Sequence, residues 1–209
     1  LAWGIDGEIA YVLEGNINYS GAIIRWLVDD IRLIESSRQS GELASAVDST
    51  HGVYLVPAFT GLGAPYWDND ARAAFIGMSR VTRREHLVRA GEEAIAYQIR
   101  DIVEELDACC PKPLGRLAVD GGATRDRFLM QFVADMLAVP IQIAAIEELS
   151  AAGAAYAAAL SSGITTRARL FDKPCAEPRI PVMSQVQRQQ LYTGWKNAVA
   201  LVRGTKKEK

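Results

Sequence analysis

"LAVDGGATRDRFLMQ", Leu117 to Gln131, is the stretch on which the reading of the fold turns. A short apolar run, Leu117 to Val119, ends at Asp120, and Gly121 and Gly122 follow. Phe128, Leu129, Phe132, Val133, Met136 and Leu137 then recur at i, i+1, i+4, i+5, the spacing of one helix face. The pattern predicts a buried strand, a tight loop and a helix. In open α/β sheets, ligands bind beyond the carboxyl ends of strands, where loops enter helices. Glycines there allow positive φ and let a ligand approach the main chain. A helix start behind them offers free N–H groups and a positive dipole end to an anion. The motif is neither G-x-G-x-x-G nor a Walker loop, which needs Lys and Ser or Thr. Taken alone, it reads equally as a turn and as a binding site.

Working outward, "EIAYVL" (residues 8–13) reads as a strand, with Gly4 and Gly7 as turn signals before it. From Ser20, a candidate N-cap, to about Glu35 an apolar stripe of Ile23, Ile24, Trp26, Leu27, Ile31 and Leu33 with Ile34 predicts a helix. "GVYLVPAF" is a strand stopped by Pro57, and "AAFIGM" (73–78) is another. Between them lies the loop "TGLGAPYWDNDAR", which reads equally as a functional loop and as a rigid structural one held by pairing among Asp68, Asp70 and Arg72. Thr82 and Glu85 form a capping box before a long helix that ends ahead of Pro111. Ile141–Ile143 reads as the next strand, Ser150 opens a packing helix of small residues, and a helix spans about Gln187 to Val202. Strand and helix alternate in the second half, so an α/β domain with parallel pairing is expected there. One domain over 1–204, with 205–209 as a disordered tail, is the simplest organisation.

The bulk numbers exclude several classes. An apolar fraction of 49%, a charged fraction of 23% and a net charge of −2 over 209 residues give no reason to expect nucleic acid or a membrane as partner. No apolar run approaches the ~20 residues that span a bilayer. Cys109, Cys110 and Cys175 lack metal-ligand spacing and read as free thiols of a cytoplasmic protein. His51 and His86, the two histidines, are far apart in sequence, which argues against a histidine metal site. The chain starts at Leu1 in what reads as the middle of a β-region, so more protein is expected upstream. Apolar groups around Tyr66 and Trp67 are expected on a face where the upstream part would dock, and there they would promote artificial association of the chain alone. Separately, a homo-oligomer is expected.

Taken in order, "GVYLVPAFTGLGAPYWDNDAR", "FIGMSR", "EAIAYQIRDIVE", "VDGGATRDRFLMQFVADMLAVPI", "AAGAAYAAAL" and "YTGWKNAV" resemble the C-terminal half of the glycerol kinases, within the FGGY carbohydrate kinase family. The resemblance implies an actin-like, hexokinase-like (ribonuclease H-like) α/β fold: a mixed sheet flanked by helices, in which two domains close around ATP and a polyol. It implies ATP with Mg²⁺ as cofactors and glycerol as the substrate, held through an N-terminal domain. The implied nucleotide contacts fall on Gly21, Arg25, Gly122 and Asp126, with Gly121 beside them. Asparagine is common in the family at Asp126 and glutamine at Arg25. An ionised aspartate only accepts and an arginine only donates, so a pair between Arg25 and Asp126 across the pocket is expected. Gly91 and Glu92 stand where the family keeps other small or apolar residues. The phosphate loop and catalytic base of the family lie upstream of this segment, so no catalytic residue is assigned and the chain alone is expected to be inactive, with ~mM nucleotide affinity. The alternatives are a non-catalytic nucleotide-binding or oligomerisation domain and a kinase for another polyol or ketose.

Overall fold

Residues 3–5, 7–146, 148–170 and 177–204 are described by the computed structural model of the chain. Strands β1 (Trp3–Ile5) and β2 (Glu8–Ala10) pair antiparallel. The strand read over 8–13 stops at Ala10, because Tyr11, Val12 and Leu13 run on exposed with no ladder partner among the described residues. Helix α1 (Gly21–Arg25) passes directly into a π-helical turn over Trp26–Asp30. Ser20 does cap it, its Oγ accepting from the Gly21 N–H at 2.6 Å. The helix expected to reach Glu35 ends earlier: the Ile31 N–H bonds the Trp26 carbonyl, and Arg32 turns to a φ of 51°.

Helix α2 (Ser37–Ser45) carries no strong periodic signal in the sequence and adds to the elements expected from it. Strands β3 (Tyr54–Val56) and β4 (Ala74–Ile76) pair antiparallel around the glycine-rich loop. Helix α3 (Arg84–Cys109) is capped differently from the sequence expectation. Its box joins Arg83 and His86, whose Nδ1 accepts from the Arg83 N–H at 2.9 Å, whereas Thr82 Oγ1 accepts from the Ser79 N–H. Strand β5 (Leu117–Val119) leads to α4 (Arg127–Leu137) and then to β6 (Ile141–Ile143), which runs parallel to β5. Helices α5 (Leu149–Ser161), α6 (Arg167–Leu170) and α7 (Gln185–Arg203) complete the order. The mixed pairing expected from the sequence is present among the described residues as three two-stranded ladders, one of them parallel. The tail and Cys175 lie outside the described residues.

The core gathers on α3, which packs against α1, α2, α4 and β3. Tyr97 is its centre: its ring lies 5.4 Å from Trp195 in a stack, 5.6 Å from Phe132 and 5.9 Å from Tyr54. Such pairs add to the area that each ring buries. Gly91 sits under Leu27 and Ile23, where an added Cβ would stand 3.2 and 3.3 Å from their side chains. Its small size therefore suits the α1–α3 contact. Helix α5, expected to pack closely through its alanines, has no buried residue in this chain.

Candidate functional site

Beyond the end of β5, Gly121 takes a φ of 86° and a ψ of 175°. Only glycine adopts this region readily, and another residue costs on the order of 1–3 kcal/mol there. The turn is fastened by Thr124, whose N–H and Oγ both donate to the Gly121 carbonyl at 3.1 and 2.7 Å. Gly122–Arg125 then forms a single 3₁₀ turn, and Asp126 caps α4, its Oδ1 accepting from the Leu129 N–H at 2.9 Å. The sequence pattern predicts a glycine pair opening straight into a free helix start. In the structure a 3₁₀ turn intervenes, and the start of α4 is closed by its own carboxylate.

The Asp126 carboxylate lies against α2. A Cβ built on Gly41 would run into both carboxylate oxygens, so a side chain at that position would force Asp126 to shift. Next to Gly41, buried Ser40 donates from Oγ to Oε1 of buried Glu92. Burial pushes the Glu92 carboxyl up to about 8, and the Asp126 charge adds to the rise. Glu92 is the functional-site candidate that sequence reasoning missed. Its departure from apolar character is visible in the sequence, but its partner is not.

Gly21 and Arg25 lie on α1, and both are exposed. A Cβ on Gly21 meets nothing within 4 Å, and its φ is not positive. Nothing within the described residues requires glycine there. Arg25 pairs with Asp29, Nε to Oδ2 at 3.9 Å, with both side chains largely in solvent. No ion pair joins Arg25 to Asp126, so the expected cross-pocket pair is not formed. Helices α1 and α4 both pack on α2, which puts the two groups of candidates on the borders of one helix.

The loop between β3 and β4 is rigid, though not by the expected ion pairs. Leu62 and Asp68 exchange main-chain hydrogen bonds at 2.8 and 2.9 Å, Asp68 Oδ1 accepts from the N–H groups of Asp70 and Ala71, and Arg72 donates to the carbonyls of Asn69 and Ala71. Tyr66 is half-buried and donates to Asp101, leaving Trp67, 78% exposed, as the loop's solvent-facing aromatic. A cavity of about 20 Å³ between this loop and Asn16–Tyr19 holds no more than one water molecule. It is far too small for a nucleotide.

The fold brings together the histidines that are distant in sequence: the rings of His51 and His86 lie 4.8 Å apart, edge to face. No group of three or more metal-ligating side chains occurs among the described residues. Cys109 and Cys110 are exposed free thiols, as expected. Among the described residues, no helix is long and apolar enough to cross a membrane.

The model of the FGGY family of carbohydrate kinases, C-terminal domain, matches residues 4–162. The chain belongs to this family. It is 47% identical over 201 residues to a glycerol kinase of Caldanaerobacter subterraneus, covering 95% of this chain and 40% of that protein. The crystal structure of Plasmodium falciparum glycerol kinase with ADP superposes with a TM-score of 0.83 at 31% identity, covering 91% of this chain and 38% of the other. A gluconate kinase from Lactobacillus acidophilus, 20% identical, shares the fold with a TM-score of 0.76 over 90% of this chain and 39% of its own. The fold is thus the actin-like α/β domain of FGGY kinases, and the chain spans about two-fifths of the length of the relatives it matches.

Proposed function

We propose that this chain is the ATP-binding C-terminal half of a glycerol kinase, a phosphotransferase that moves the γ-phosphate of Mg·ATP to glycerol and forms glycerol 3-phosphate once an N-terminal domain completes the cleft. The observation that carries the reading is the 47% identity to a glycerol kinase along 95% of this chain. The Plasmodium glycerol kinase was crystallised with ADP, which supports the nucleotide.

In this reading Gly21, Arg25, Gly121, Gly122 and Asp126 hold the adenosine side. Gly21 fits that role on a local observation: it is open and exposed, and its lack of a side chain serves no contact among the described residues. Gly121 contributes through its backbone, since its φ of 86° sets the turn that presents Gly122. Asp126 gives its Oδ1 to the α4 cap, so it acts first as the anchor of that turn. Mg²⁺ would arrive with the phosphates and offset their charge during transfer. No residue of this chain is assigned to bind it. Exposed Cys109 and Cys110 suit a reducing, cytoplasmic setting. Exposed Trp67 suits a homo-oligomer.

A second reading, a nucleotide-binding module without catalysis, is favoured by one feature. Asp126 is turned inward instead of standing free as an acceptor. A glycerol-dependent ADP-release assay separates the two. The chain alone is expected to show no turnover, and the same chain fused behind the N-terminal half of a related glycerol kinase is expected to turn over. Turnover by the chain alone contradicts the half-cleft reading, and an inert but folded fusion that binds ADP favours the second.

A further inference from the structure

Glu92 lies on α3 between α2 and the cap of α4, 1% exposed. Ser40 Oγ occupies its Oε1, while Oε2 is sealed from solvent and meets no donor in the protein. An ionised carboxylate left in that state is strongly disfavoured. The charged groups nearby are committed elsewhere. On α3, Arg89 pairs with Glu93 at 2.7 Å and donates to the carbonyls of Ala44 and Val47. On α2, Arg38 and Glu42 pair with each other at 3.3 Å on the exposed side. On α4, Arg127 is exposed. The charge that bears on Glu92 is that of Asp126, whose carboxylate fills the space left by Gly41, the neighbour of Ser40.

We propose that Glu92 and Asp126 share one proton, Glu92 Oε2–H donating to Asp126 Oδ2, and that Glu92 is thereby a positioning residue for the α4 cap and the Gly121-Gly122 turn. The proton supplies the donor that Oε2 lacks and leaves Asp126 Oδ1 free to hold the Leu129 N–H. Losing it sets two carboxylates side by side. Their repulsion drives Asp126 away from Gly41 and loosens the cap. Gly41, Glu92 and Asp126 thus form one device: the glycine makes the room, the glutamic acid carries the proton and the aspartate receives it. The bearing of this device on ligand binding rests on the nucleotide reading given above, whereas the shared proton itself does not.

The test is a pH titration of the chain by NMR with ¹³C-labelled Asp and Glu carboxyl groups. The Glu92 carboxyl carbon is expected to titrate with a midpoint near 8, and the Asp126 carbon to shift at that same midpoint. Asp126→Asn is expected to lower the Glu92 midpoint by about one pH unit or more. The Leu129 amide is expected to shift with the same midpoint in the parent chain and to stay flat in Glu92→Gln, whose amide replaces the donor permanently. An Asp126 carbon that does not respond at the Glu92 midpoint overturns the proposal, as does a Glu92 midpoint unmoved by Asp126→Asn. If a variant fails to fold, the titration of the parent chain decides alone. Absence of ADP binding with the carboxyl coupling intact refutes the nucleotide reading and leaves the shared proton standing.

Discussion

Replacing Asp101 by alanine is expected to lower the stability of the chain by about 3–5 kcal/mol. Asp101 is 2% exposed and accepts from Tyr66 Oη at 2.8 Å, Trp195 Nε1 at 2.8 Å and Tyr192 Oη at 2.6 Å. Lys196 Nζ, at 3.4 Å, is the cation that balances it. Burial first, and then the Asp101 charge and hydrogen bonds, push both tyrosine hydroxyls upward, so they remain donors. Removing the carboxylate leaves the Tyr66 and Trp195 donors unpaired in the interior, at about 1–3 kcal/mol each. Tyr192 keeps Glu104 as an alternative acceptor, at 2.8 Å. The loss also removes the tie of Tyr66 to α3, leaving the loop held to α7 by the Arg203–Asp68 ion pair, so the effect reaches beyond one site. In thermal denaturation the midpoint is expected to fall by on the order of 10 °C. Asp101→Asn, which keeps one acceptor oxygen, is expected to lose about half as much. A change below about 1 kcal/mol in the alanine variant contradicts the role given to this hub.

Glu92→Gln is expected to stabilise the chain at alkaline pH and to do little at acid pH. The folded Glu92 carboxyl titrates at about 8, above its unfolded value of 4.5. The folded state therefore binds more protons between these values, and stability must fall as pH rises through the window. Below about 4.5 both states are protonated and the group contributes no pH dependence. Above about 8 the full cost of a buried charge beside Asp126 is present. That cost is on the order of 3–5 kcal/mol, from about 1.4 kcal/mol for each pH unit that separates the folded and unfolded values. Denaturant melts at pH 5 and pH 9 check this: the variant is expected to gain on the parent chain between the two. A gap that is constant with pH contradicts the assignment.

Much of the fold was legible because its signals are local. The spacing of Phe128, Leu129, Phe132 and Val133 marked α4, the brief run Leu117–Val119 marked β5, and Pro57 marked the end of β3. What escaped was set by contacts. Helix α2 is polar along most of its length and owes its place to packing on α3, so periodicity did not announce it. The α3 cap went to Arg83 and His86, not Thr82, because His86 is drawn inward beside His51.

The candidate site was legible in part. The loop and its glycines could be found from the pattern, and their likeness to a kinase pocket came from the run of motifs. The side-chain pairing could not be read. Arg25 and Asp126 are complementary in charge, yet Arg25 stays with its own-helix neighbour Asp29, while Asp126 turns toward α2. Only the fold shows that Gly41 vacates that space and that its neighbour Ser40 is bonded to buried Glu92.

The proposed function holds that nucleotide binds through Gly21 and the turn at Gly122, which lie at the α1 and α4 borders of α2. Gly21→Val probes this, since an added Cβ there meets nothing within 4 Å. The decisive measurement is an NMR titration of ADP into the chain and this variant. Saturable binding in the ~mM range is predicted for the parent chain, with shifts at Gly21, Gly122 and Leu129. Binding at least about tenfold weaker is predicted for Gly21→Val, a loss of about 1.4 kcal/mol. No saturable shifts at those residues, or equal affinity in the folded variant, contradicts it.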